Sequence, residues 1–362
     1  MRASHALGVL ILTSAASAAQ PQKLTEIFDV DMRPYPANGG SCNRPRDPND
    51  ANSPVLFDAD VDWRNQDKIL NKIWNQMNLM VFRTTQSITP DGYNDNFDQR
   101  KLMKSFWGIS PDADAGNGDD HQPKQGINLE KLNEVRKRYQ SALNIMWTPR
   151  QDEKFKLFCG SSHMEFQWGD EYAFDYDGNA MARGTPADPD PWTIREWEEA
   201  HGRDWDDHWY FYTSTGDGPG ESGYLLLRKD DWPAIPQIIH GQLYHFPFPW
   251  DPATEQPSLC AGNNQAAAVL MTDEDLPDNA PGAGAILLDW HVILCTPQAF
   301  SPAQGREEIP DEAQPVGTHL DTLEVLALTF LHEMFHLQNY DDSADQRPFR
   351  PLKGDDDGKP VP

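Results

Sequence analysis

Asp321-Thr322-Leu323-Glu324-Val325-Leu326-Ala327-Leu328-Thr329-Phe330-Leu331-His332-Glu333-Met334-Phe335-His336-Leu337-Gln338-Asn339 is the most strongly patterned stretch of this 362-residue chain. Leu323, Leu326, Phe330, Met334 and Leu337 recur at intervals of three and four, the spacing of a helix with one apolar face. Asp321 and Glu324 stand as an N-cap acceptor and a carboxylate three residues on, a variant of the capping box. The spacing predicts a helix over 321–339. Three polar residues interrupt its apolar run: His332, Glu333 and His336.

Residues four apart on a helix lie one turn apart on one face, so the two imidazoles can converge on a single tetrahedral ion. A carboxylate beside the first histidine can reach a water held there and take its proton during attack on a carbonyl. This is the H-E-x-x-H arrangement, with His332 and His336 as zinc ligands and Glu333 as general base. The competing reading is a core helix whose histidines are merely hydrogen-bonded or exposed. Burying three polar groups in an apolar helix costs free energy unless they are paired or bound to metal, which favours the first reading.

Upstream, 285–295 (AILLDWHVILC) and 267–272 (AAVLMT) read as strands, the first ended by Pro297. Residues 184–222 are rich in Pro, Gly, Asp and Trp and read as long loop, with a short helix near 192–200. The stretch Trp192–Trp209 could serve as a carbohydrate platform, although such aromatics more often anchor a core. Lys154–Cys159 and Tyr172–Tyr176 read as strands. Amphipathic spacing predicts helices over 63–83 and 128–146, with a shorter one over 97–107. The polar stretch 111–126 is a loop that does not meet the calcium-loop pattern.

The chain carries 57 acidic against 30 basic residues, a formal charge of −27. A field of that sign repels phosphate backbones and anionic lipid, which sets aside nucleic acid and membrane surfaces as partners. Arg2, the apolar run Leu7–Leu12 and the small residues Thr13–Ala19 form a secretory signal peptide over 1–19, so a secreted, extracellular protein is expected. The cysteines are Cys42, Cys159, Cys260 and Cys295. In an oxidising compartment they imply two disulfides with three pairings open, Cys260–Cys295 being the nearest pair.

The H-E-x-x-H helix, the preceding strand ending Val292-Ile293-Leu294-Cys295, the signal peptide and the paired cysteines together resemble the aspzincin zinc endopeptidases, the family of the deuterolysins and lysine-specific metalloendopeptidases. The likeness is close over about 260–345 and loose over the earlier helices. It implies an α+β, zincin-like fold in which N-terminal helices pack on a small sheet, with the H-E-x-x-H helix near the C-terminus. It implies a protein or peptide substrate aligned along an edge strand, here 266–272, in a monomer. It divides the chain into an irregular lead-in over 20–55 standing where that family carries a propeptide, one metallopeptidase-like domain over 56–345, and a disordered tail over 346–362.

The family's third ligand is an Asp in a G-T-x-x-D-x-x-Y-G segment after the helix, and Asp345 has that spacing. Asp341-Asp342 replace its Gly-Thr and Pro348-Phe349 its Tyr-Gly, so the family's transition-state tyrosine has no clear counterpart; Tyr340, the nearest tyrosine, reads more readily as the end of the helix. No His or Glu follows His336. Upstream, His291, His319 and Asp289 stay open as alternatives. The function expected is zinc-dependent hydrolysis of peptide bonds. The alternative is an inactive or truncated homologue that binds without cleaving.

Overall fold

The computed structural model describes residues 22–34, 40–46, 52–57, 68–95, 97–112, 120–148, 154–174, 179–185, 188–202, 204–214, 222–230, 232–262, 266–269, 291–296, 300 and 326–337. The first half holds α1 (Leu24–Ile27), β1 (Phe28–Val30), α2 (Ile69–Ser87), α3 (Pro90–Asp95), α4 (Phe97–Trp107) and α5 (Gly126–Trp147). A strand-rich middle follows with β2 (Phe155–Phe158), β3 (Met164–Gln167), β4 (Ala182–Thr185), β5 (Asp188–Pro191), α6 (Ile194–Ala200), β6 (His208–Ser214), β7 (Ser222–Arg228), β8 (Ile235–Ile239), β9 (Gln242–Phe246), β10 (Trp250–Asp251) and β11 (Gln256–Pro257). β12 (Ala266–Val269), β13 (His291–Leu294) and α7 (Leu326–His336) complete the order. The class is α+β.

The sheet at the centre has the order β1-β2-β13-β12. β1, β2 and β13 run parallel, and β12 pairs antiparallel with β13 at one end. Side chains alternate across it. Leu157, Val292 and Leu294 enter one core with α2, α5 and α7, while Phe158, Ile293 and Cys295 enter a second core with Phe166, Phe211 and Leu225. Burial on both faces is why His-Val-Ile-Leu in β13 is buried throughout, the pattern of an internal parallel strand rather than a half-exposed one.

On the first face, α2 buries Leu70, Ile73, Trp74, Met77 and Val81, and α5 buries Ala142 and Met146, while Leu132 and Val135 of α5 close a separate cluster with Ile88, Tyr93, Met103 and Ile109. Both helices follow the expected periodicity, although α2 runs over Ile69–Ser87 after an extended Lys68, and not over 63–83. The segment expected as an irregular lead-in supplies β1. Phe28 of that strand lies within 6.0 Å of Trp74, 5.7 Å of Phe155 and 5.5 Å of Phe330, centroid to centroid.

On the second face stands a three-stranded sheet, β3-β6-β7, whose middle strand β6 lies within the 184–222 stretch expected as loop. Of Tyr172–Tyr176, expected as a strand, the described residues 172–174 make isolated bridges at Tyr172 and Phe174, and 175–176 lie outside the described residues. The short helix expected at 192–200 is α6, opened by a capping box between Thr193 and Glu196. β8 and β9 form a hairpin turned by His240 and Gly241 at φ 49° and 82°. Two successive positive φ values are the geometry that suits a two-residue hairpin, here with His in the position usually held by Asn. Among the described residues no helix is long and apolar enough to cross a membrane.

Two disulfides close the frame, Cys42–Cys159 and Cys260–Cys295, so the nearest-neighbour pairing is the one formed. Three tryptophans of 192–209 carry a cation over one ring face. Arg183 covers Trp192 at 4.5 Å, Arg195 covers Trp205 at 4.4 Å and Lys229 covers Trp209 at 4.5 Å. A face already held by a cation has no room for a sugar ring.

Candidate metal centre

α7 packs by Leu326, Ala327, Phe330, Leu331, Met334 and Phe335, all buried. Phe330 touches Phe28 and Trp74, and Phe335 meets Tyr139 of α5 edge-on at 5.2 Å. Those contacts set the rotation of the helix. They leave His332 exposed and His336 half-buried, and draw Glu333 in to 5% exposure.

The two imidazoles converge. His332 Nε2 and His336 Nε2 lie 3.2 Å apart, with ring centroids at 4.9 Å and planes at 76°. Two nitrogens bound at 2.0–2.1 Å to one tetrahedral ion stand about 3.3 Å apart. The observed separation matches that of two nitrogens on a shared zinc ion. Burial pushes the His332 pKa down. His336 is lowered to about 4, by burial first and then by the positive charges of His332 and Arg138. At neutral pH both rings are uncharged, the form that a metal takes. The donor set is two borderline-soft nitrogens with a carboxylate beside them, which suits zinc.

The remaining predicted ligands divide clearly. Asp345, His319 and Asp289 lie outside the described residues. Among the described residues no group of three or more His, Cys, Asp or Glu is placed to hold a metal. His291 is removed as a candidate by strand alternation. It shares its face with Ile293 and Phe158, in the second core, whereas α7 packs on the face of Val292 and Leu294.

His291 belongs instead to a second histidine pair. Its ring lies 5.8 Å from that of His163, which stacks on Phe158 at 3.7 Å and bonds the Gly160 carbonyl oxygen through Nδ1 at 3.2 Å. Burial holds the His163 pKa well below its ordinary value, with the His291 and Arg33 charges acting the same way. The unfolded chain binds that proton near pH 6.5 and the folded chain does not. Stability is thus complete above about pH 6.5 and falls by about 1.4 kcal/mol per unit below it, down towards the folded pKa. His163→Phe keeps a ring on Phe158 and is expected to flatten this acid limb, measured by denaturant titration between about pH 6.5 and 5. An unchanged slope would locate the acid sensitivity elsewhere.

Sequence reading missed Arg138. Its charge acts on His336 from α5 across the helix interface. No local signal marks it, because the periodicity of α5 identifies only the apolar positions around it. Set against protein families, characterised proteins and solved structures, the chain matches none.

Proposed function

We propose that the chain is a secreted zinc endopeptidase of zincin-like architecture, with His332 and His336 as ligands and Glu333 as general base. The observation that carries this reading is the 3.2 Å convergence of the two Nε2 atoms on one helix, on which Glu333 follows the first histidine. Zinc, when bound, acidifies a water and polarises a carbonyl. Glu333 would accept the proton of the attacking water and return it to the departing amine.

β12 supports the substrate side of the proposal. It is an end strand of the central sheet and it packs against α7. An extended peptide can add to such an edge by main-chain hydrogen bonds, which would bring its backbone alongside the histidines. Asp345 is the proposed third ligand, by its spacing from His336. The second reading, a homologue that binds without cleaving, is favoured by the sequence around Asp345, which departs from the resembled family's third-ligand and tyrosine motif.

Metal analysis of the purified chain is expected to find about one zinc per chain, lost on His336→Ala, with protein hydrolysis abolished by a chelator. Zinc retained at full stoichiometry by the doubly substituted His332→Ala, His336→Ala chain would sink the assignment.

A further inference from the structure

The two faces of the β8–β9 hairpin differ in character. On one, Gln237 stands opposite Tyr244 and Ile235 opposite Phe246. This face is tied to the body. Ile239, Tyr244 and Phe246 pack on the second core. Gln237 Nε2 donates to the Phe248 carbonyl at 2.8 Å, and the Trp250 N–H donates to Gln237 Oε1 at 2.5 Å. The other face pairs Pro236 with His245 and Ile238 with Leu243, and all four residues are exposed. Ile238 is 78% exposed and Leu243 61%, one register step from the turn at His240 and Gly241.

Charge is missing from the whole hairpin. From Pro233 to Trp250 the chain holds no Asp, Glu, Lys or Arg, although 24% of its residues are of those types. Exposed strands of soluble proteins are ordinarily guarded by such charges. Two partly exposed tryptophans flank the base of the hairpin. Trp168, 42% exposed, lies 6.3 Å from Tyr244 and 5.5 Å from Phe246, and Trp232, 40% exposed, lies 5.4 Å from Phe248. Aliphatic side chains at the tip with indoles behind them follow the polarity gradient of a lipid–water boundary. Acyl chains accept Ile and Leu, and the headgroup layer accepts Trp and Tyr.

A second copy of the chain fits this face less well. A stable protein interface takes about 20–30 residues from each side, and the outer face presents four. Two copies carrying a formal charge of −27 each also repel. A lipid surface needs only shallow insertion, about 5–10 Å deep. The acidic field repels anionic lipid, but a zwitterionic surface has no net charge for it to act on.

We propose that the β8–β9 hairpin is a lipid-surface anchor, placing Ile238 and Leu243 among the acyl chains of a zwitterionic bilayer with Trp168 and Trp232 at headgroup level. The inner face, held by Gln237 and Phe246, keeps the tip rigid.

The test is flotation of the full chain with phosphatidylcholine vesicles. The parent is expected to float, to the same extent in about 1 M salt, because apolar insertion is not screened. Partial replacement of phosphatidylcholine by phosphatidylserine at low salt should weaken binding. Ile238→Ser with Leu243→Ser should lower the partition coefficient about tenfold or more. Both side chains are exposed, so the thermal midpoint should stay near that of the parent. His240→Asp puts a carboxylate at the tip without touching the packing, since Asp tolerates positive φ, and should weaken binding several-fold. It also decides the matter should the double variant fail to fold. A parent that does not float with phosphatidylcholine overturns the proposal, as does parental binding by either folded variant. A parent that dimerises in solution, with the dimer lost in the double variant, also overturns it and marks the face as an interface between copies.

Discussion

Glu333→Gln is expected to reduce hydrolysis of a protein substrate by about 10²–10⁴-fold while zinc stays bound. The amide has the size of the carboxylate, so the packing of α7 around Leu331, Met334 and Phe335 is preserved. What it loses is the ability to accept a proton, the one property that the mechanism asks of this side chain. The helix contacts that orient the histidines lie at Phe330 and Phe335, away from the substitution. Zinc content and thermal midpoint should therefore stay near those of the parent. Measured side by side, an amide variant that cleaves as fast as the parent would falsify the role of Glu333. A variant that loses zinc as well would show that the carboxylate holds the site together and does not act only as a base.

Removing the Cys42–Cys159 disulfide, by Cys42→Ala with Cys159→Ala, should cost about 4.9 kcal/mol of stability on the chain-entropy account. The bond closes a ring with a sequence separation of 117 residues, enclosing α2 to α5 and β2. Opening the Cys260–Cys295 ring, with a separation of 35 residues, should cost less, about 3.8 kcal/mol. Cys42, Cys159 and Cys295 are fully buried, so packing losses add to both values. Two short backbone bonds remain at the first site, Cys42 N–H to the Asp31 carbonyl and Cys159 N–H to the Gly40 carbonyl, both at 2.7 Å. They should keep the local geometry while the unfolded chain gains its freedom. Denaturant midpoints of the two double variants test the ranking. A larger loss at Cys260–Cys295 would show that native packing and not ring size governs both.

What could be read along the chain was what repeats locally. α4 at Phe97–Trp107 and α5 at Gly126–Trp147 match their expected spans closely, because three-and-four spacing is a property of a few consecutive turns. The His332, Glu333, His336 constellation was legible for the same reason: helix geometry alone puts residues four apart on one face. β6 and β7 were hidden by the Trp, Asp, Gly and Pro around them, which resemble loop composition. The β8–β9 hairpin was hidden by a His-Gly turn lacking the usual Asn-Gly mark.

By itself, then, the sequence determined the periodic helices, the paired histidines with their carboxylate, and the capacity for two disulfides. Only the tertiary structure decided which cysteines meet, that β2 lies beside β13, and that His291 turns away from α7. These are pairings across tens to hundreds of residues. A chain writes its own helical and strand periods into neighbouring positions, but which distant segments share a core depends on how the whole chain buries its apolar faces together.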